Sequence, residues 1–242
     1  MRTKITSLSF ALALCAATTS SQAEVSATAS VVSDYVYNGV SQTDSNPALQ
    51  GSVDWYNDAG FYVGAFASQI DFTPAGLPDA ELEFDLYAGY AGTINDDLSF
   101  DLGYAYYTYP GADDDGFESD YGEFYGSLTY KGNTTLKLAY SDNYSFDVGG
   151  SYLLMLSHSI DLGHDLSLTL EASHTELLDS GNGQDVYWFG DNEINHWGAT
   201  LSKSVGGFDM ALGYTDTDAD QAFDTFDVAD GRVFLSISRT FE

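Results

Sequence analysis

Six carboxylates, Asp34, Glu83, Asp85, Asp101, Glu123 and Glu171, occur in or beside stretches where apolar and polar residues alternate. Glu83 and Asp85 lie between Leu82, Phe84 and Leu86, and Asp101 shares its stretch with Leu98, Phe100, Leu102 and Tyr104. Glu171 sits with Ser167, Thr169 and Ser173 against Leu166, Leu168, Leu170 and Ala172. In an extended strand successive side chains point to opposite faces, so these acids share a wet face behind an oily one. Carboxylates so placed can move protons, hold hard cations or build a negative potential. Proton-transfer or nucleophilic chemistry needs an oriented base, and His158, His164, His174 and His196 are scattered. Ser157 and His158 are neighbours that a strand sends to opposite sides. The expectation is therefore no enzyme and no cofactor, leaving the electrostatic role. The same wet face holds Asp54 and Asp209, with Lys137, Arg232 and Lys203 as its candidate bases. Such a surface needs water around it, attracts cations and repels anions.

A second acidic motif lies near the C-terminus. Asp216, Asp218, Asp220, Asp224 and Asp227 match positions one, three, five, nine and twelve of a calcium loop. Gln221 replaces the glycine that such a loop needs, and no helical pattern flanks it. Solvated loop charge is the simpler account of these aspartates, as of Asp113-Asp114-Asp115-Gly116. A divalent ion held there would bridge the loop to anionic lipid headgroups.

About twelve alternating stretches of about ten residues run from Val25 to Phe241, the length a tilted strand needs to cross a bilayer. The first is expected over Val25–Tyr37 and the third over Phe61–Phe72, which is apolar on both faces and so has no predicted orientation. Short turns are read at Asn57–Gly60, Ile94–Asp97, Lys131–Asn133, Leu162–Asp165 and Val205–Gly207. Longer polar loops are read at Asn38–Asn46, Thr73–Asp79, Pro110–Asp120, Asp142–Gly150, Leu178–Asn192 and before the last strand. Strict exchange of short and long connections is the asymmetry of an outer-membrane barrel, with tight turns inside and long loops outside. The expected fold is all-β: a closed antiparallel transmembrane β-barrel of about twelve strands, with short periplasmic turns and longer acidic extracellular loops. Tyr35, Tyr37, Trp55, Tyr90, Tyr106, Tyr109, Tyr130, Tyr140 and Tyr214 sit at strand ends, where an aromatic girdle would meet headgroups.

Arg2 and Lys4 precede an apolar run from Ile5 to Ala17, and Ser21-Gln22-Ala23 offers a small-x-small cleavage pattern. Residues 1–23 thus read as a secretory leader and 24–242 as the barrel. Cys15, the one cysteine, would leave with the leader, excluding disulfides and thiolate metal sites from the mature chain. The formal net charge is −30, so binding to nucleic acid is excluded.

Ser33-Asp34-Tyr35, Gly39-Val40-Ser41-Gln42, Pro47-Ala48-Leu49-Gln50-Gly51 and Gly60-Phe61-Tyr62-Val63-Gly64 together resemble the TorF-type family of proteobacterial outer-membrane porins. Glu83, Asp85, Tyr87 and Gly89-Tyr90 continue the likeness, as do Tyr107-Thr108-Tyr109-Pro110-Gly111 and Glu123 after Asp120-Tyr121. The resemblance implies an outer-membrane barrel passing small solutes and names no substrate. Asn38 departs from it, since relatives often carry arginine there, and Glu242 follows Phe241 where such barrels usually end on the aromatic.

The expected function is a porin-like channel in the outer membrane of a Gram-negative bacterium, passing small polar solutes by passive diffusion with a cation preference. Asp34, Glu83, Asp85, Asp101, Glu123 and Glu171 are its expected lumen and selectivity residues, Asp34 and Glu123 nearest the outer mouth. Its expected partners are outer-membrane lipid, lipopolysaccharide, small polar or cationic solutes and the barrel-insertion machinery. Two alternatives stand beside it: a non-conducting surface or adhesion barrel with acidic partner- or ion-binding loops, and an embedded lipid-modifying enzyme.

Overall fold

Rows of residues that face each other across neighbouring strands are uniform in character, and this builds the wall. Leu201, Leu212 and Leu235 form one row, exposed by 38%, 47% and 55%. One step along, Ser202, Ala211 and Ser236 form the next, exposed by 4%, 7% and 3%. The oily face is the outer one, the reverse of a water-soluble sheet packed on a core.

The computed structural model describes residues 24–72, 80–112, 119–145, 148–178, 192–219 and 227–242. The leader expected at 1–23, the loop expected at Thr73–Asp79, Asp113-Asp114-Asp115-Gly116 and most of Leu178–Asn192 lie outside the described residues. Every regular element described is a strand: β1 (Glu24–Val32), β2 (Val36–Tyr37), β3 (Val40–Ser41), β4 (Ala48–Tyr56), β5 (Phe61–Gln69), β6 (Leu82–Asn95) and β7 (Leu98–Thr108). The second half comprises β8 (Tyr121–Tyr130), β9 (Thr134–Tyr144), β10 (Gly149–Gly163), β11 (Leu166–Leu177), β12 (Glu193–Val205), β13 (Phe208–Thr217) and β14 (Arg232–Phe241). Twelve of these, β1 and β4 to β14, pair antiparallel around a closed barrel, while β2 and β3 pair only with each other. The seam joins β1 to β14, with Ala27 opposite Phe241 and Val32 opposite Ser236.

All five turns read as short fall at one rim, with both barrel termini, and the six other connections fall at the other. At Asn57–Gly60 the Asn57 side chain accepts from the amides of Ala59 and Phe61, and Gly60 has φ +94°. A Cβ on Gly60 would lie 2.2 Å from the Ala91 carbonyl oxygen, so the turn needs that glycine.

Three expected boundaries move. The first strand ends at Val32, because Val36–Tyr37 turns back on Val40–Ser41. The third ends at Gln69 and is now oriented, with Phe61 and Val63 outward and Tyr62, Phe66 and Ser68 inward. The connection read over Asp142–Gly150 shrinks, since β9 runs to Tyr144 and β10 begins at Gly149.

If hydrocarbon covers the Leu201–Leu212–Leu235 row, Leu212→Arg should cost about 2–4 kcal/mol of folding stability in lipid vesicles. Thr200→Asn, on the inner face, should cost far less. Equilibrium denaturation of the vesicle-inserted protein measures both, and equal costs would contradict the assigned faces.

Candidate functional site

The inward face carries the acids. Asp54, Glu83, Asp85, Asp101, Glu123, Glu171 and Asp209 all occupy lumen-side register positions. Lys137 is inward beside Glu123 at 3.9 Å, and Arg232 reaches Asp34 at 3.1 Å. Lys203, expected as a third inward base, instead projects outward in register with Leu166 and Met210. Strand parity decides this, since Ser202 and Ser204 take the inner positions.

Aromatic rings share the inner wall with these acids and lie flat against it. Tyr87 faces Gly64 across the β5–β6 pair, Tyr62 faces Gly89, Tyr125 faces Gly103 and Phe234 faces Gly213. A Cβ at any of these glycines would come within 2.6 Å of the ring or hydroxyl opposite. The glycines therefore let large rings coat the wall without standing into the bore. The tyrosine hydroxyls then hold acids in place. Tyr62 donates to Asp101 at 2.6 Å and exchanges a 2.7 Å bond with Tyr125, while Tyr87 donates to Asp54.

Across the bore lies a strap, the β2–β3 hairpin within residues 33–47. Asn38 and Gly39 have φ of +47° and +86°, the all-positive geometry of a two-residue type I′ turn. On one side Tyr35 donates to Glu83 at 2.9 Å, and Tyr37 lies beside Tyr107 and Glu123. Burial, then the negative charge of Glu83, pushes the Tyr35 hydroxyl well above its ordinary pKa, so it stays protonated and donates. On the far side a Cβ at Gly39 would meet Thr217 at 2.5 Å and His196 at 2.8 Å. The Ser41 amide donates to the Val228 carbonyl at 2.7 Å, closing the strap onto the β13–β14 connection. Asp34 anchors its base: its carboxylate accepts from Ser41, Thr43 and Arg232.

Several expectations change here. Asp34 is not an open lumen charge, because Arg232 neutralises it. Tyr35, Tyr37 and Tyr109 do not join a lipid girdle. Tyr35 and Tyr109 pack with Phe72, Tyr107, Tyr121 and Tyr144 in a buried inner cluster that Tyr37 borders. Tyr107 and Tyr121 stack at 4.5 Å within it. Tyr90, Tyr106, Tyr130, Tyr140 and Tyr214 do face outward, by 37–50% exposure. Nor is the interior uniformly wet, since Glu83, Asp85 and Glu123 are only 3%, 0% and 3% exposed. Deeper in the wall, His196 bonds Ser173 and Thr215 and lies 3.7 Å from Glu171. The strap was missed in the sequence, although Asn38-Gly39 between short apolar pairs is itself a hairpin signal.

Of the calcium-loop aspartates, Asp220 and Asp224 lie outside the described residues. Asp218 accepts from the amide and side chain of Asn195, Asp216 accepts from Tyr214, and the Asp227 carbonyl accepts from Arg232. Among the described residues no three His, Cys, Asp or Glu side chains group as metal ligands.

The barrel resembles solved porin structures. A KdgM porin aligns with a TM-score of 0.56 at 9% identity, covering 90% of this chain and 99% of that one. A KdgM porin in complex with disordered oligogalacturonate gives 0.56 and 9%, covering 91% and 100%. OprD of Pseudomonas aeruginosa gives 0.41 at 13% identity, covering 90% of this chain and 65% of that one. At these identities the likeness is one of fold. Among curated proteins no sequence match is found. The TorF-type designation is not part of the matching family's description, whereas the barrel fold implied by that resemblance is what the KdgM structures share with this chain. A family model described as "Bacterial protein of unknown function (Gcw_chp)" matches residues 16–241, and the chain belongs to that family.

Proposed function

We propose that the protein is an outer-membrane channel of a Gram-negative bacterium, passing small polar solutes by diffusion and favouring cations. One observation carries this reading: the inward strand carboxylates, among them Asp54, Asp101, Glu171 and Asp209, outnumber the two inward bases among the described residues, and both bases are already paired with acids. A bore with that balance raises the local concentration of cations and lowers their entry barrier without any reaction step. Oligogalacturonate, seen with a KdgM porin, is a polyanion, and this wall has the wrong sign for such a cargo. Outer-membrane lipid and lipopolysaccharide would cover the oily face. The insertion machinery would meet the β1–β14 seam. In this reading the short-turn rim is periplasmic and the long-loop rim extracellular.

The strap and the buried tyrosine cluster favour one rival, a non-conducting surface barrel whose loops bind a partner or ions. Silence in planar bilayers from demonstrably folded protein would select it.

Under a KCl gradient the reversal potential should have the sign of a cation-selective pore. Asp101→Asn with Glu171→Gln should lower the cation-to-anion permeability ratio by about two-fold or more, because both acids line the inner wall. An unchanged ratio would remove them from the conduction path. Gly39→Val should push the strap off His196 and Thr217 and raise single-channel conductance, with Arg232→Gln acting the same way more weakly by freeing Asp34. Equal conductance in all three folded proteins would mean that the strap is not the constriction.

A further inference from the structure

Beneath the strap, Glu83 and Asp85 occupy successive inward positions of β6. Asp85 is fully buried; no hydroxyl, amide or basic group among the described residues bonds either of its carboxylate oxygens, and its carboxyl lies against that of Glu83. Its cross-strand neighbours are Phe66 and Tyr107, and its nearest titratable neighbour is Glu83, another acid. Glu83 accepts one bond from Tyr35. Two acids side by side under an aromatic lid would together carry two negative charges, which burial tolerates only when a proton or a cation neutralises them.

No basic residue of the chain supplies that cation, which leaves a shared proton or a bound ion. Beyond the leader the chain has five basic residues, and each has its place elsewhere. Lys131 sits at a turn over the Tyr130 ring, Lys203 projects outward, and Arg239 lies over Phe208 and Phe241. Lys137 serves Glu123 and Arg232 serves Asp34. The internal segments outside the described residues contain no Lys or Arg. The histidines are placed too. His158 bonds Thr134, His174 bonds Asn195, His196 bonds Ser173 and Thr215, and His164 is exposed at a turn.

We propose that Glu83 and Asp85 bind one hard divalent cation of the calcium type, held under the strap by their carboxylates. The donors are all oxygen: both Asp85 oxygens and Glu83, beneath the cluster that holds Tyr35, Tyr107 and Tyr109, with Tyr107 in register with Asp85. That set suits a hard ion, and calcium tolerates irregular coordination better than magnesium does. One divalent ion cancels both charges. Because Tyr35 ties the strap to Glu83, occupancy also fixes the strap against the wall. The site does not depend on the barrel conducting.

The full chain, folded in detergent micelles with a chelator and then titrated with CaCl2, provides the test, read by tyrosine fluorescence and thermal melting. Wild type should show a saturable change and a melting shift of about 5 °C at saturation. Asp85→Asn should melt no lower than wild type in chelator, since a buried charge has been removed, and should lose the calcium response. Glu83→Gln should lose it as well, while Asp209→Asn, elsewhere on the inner wall, should keep it. No response in wild type, or a response surviving in Asp85→Asn, overturns the site. So does stabilisation by acid alone, which would mean a shared proton, or an equal response to NaCl at matched ionic strength. Binding is read in micelles, so a silent barrel leaves this test standing, and a conducting barrel without a calcium response overturns only the site.

Discussion

Every backbone amide and carbonyl in hydrocarbon must find a partner within the protein, and the β1–β14 seam is where this chain meets that demand. An open twelve-strand sheet would leave two edges bare. Closure settles more than hydrogen bonding. Once Val32 lies opposite Ser236, the period of two fixes which side chains of every strand face the bore, because a one-residue slip would turn each oily row inward. The acids on the inner wall are therefore positioned by the seam as much as by their own strands.

Closure leaves an interior to be furnished, and two devices divide it. Glycines opposite Tyr62, Tyr87, Tyr125 and Phe234 let rings lie along the wall, which keeps bulk out of the bore. The β2–β3 strap does the opposite, reaching from Glu83 on β6 to His196 and Thr217 on β12 and β13. Between the two, the long-loop end becomes narrow, aromatic and acidic, while the rest of the inner wall is rich in serine and threonine. The strap lies nearer that rim than Asp101 or Glu171 does.

Much of this was legible in the residues, for identifiable reasons. Alternation of period two is local, so the strands over Leu82–Asn95, Leu98–Thr108 and Leu166–Leu177 and the inward parity of their acids follow from the sequence. Turn chemistry is local too, and all five short turns fall where Asn, Asp and Gly cluster. What escaped was long-range. Arg232 and Asp34 lie 198 residues apart, so nothing near either announces their ion pair. Tyr35, Tyr37 and Tyr109 look like girdle residues because a strand end faces headgroups or lumen according to a loop's path, which alternation does not encode. Lys203 was misplaced for a smaller reason, a single step of parity. Asn38-Gly39 could have been read, but an expected first strand running to Tyr37 absorbed the residues that lead into it.

The strap tip also explains why the wall can keep its negative balance. A type I′ turn needs positive φ at both central residues, and asparagine and glycine adopt it at low cost. An arginine at position 38, as the resemblance to TorF-type porins would lead one to expect, would strain that turn. It would also carry a cation to the tip of a strap that spans the bore. The neighbouring Gly39 already lies against His196 and Thr217. Asparagine leaves the tip neutral. The charges of the inner wall are then those of its strands, where Lys137 lies beside Glu123 and Arg232 bonds Asp34.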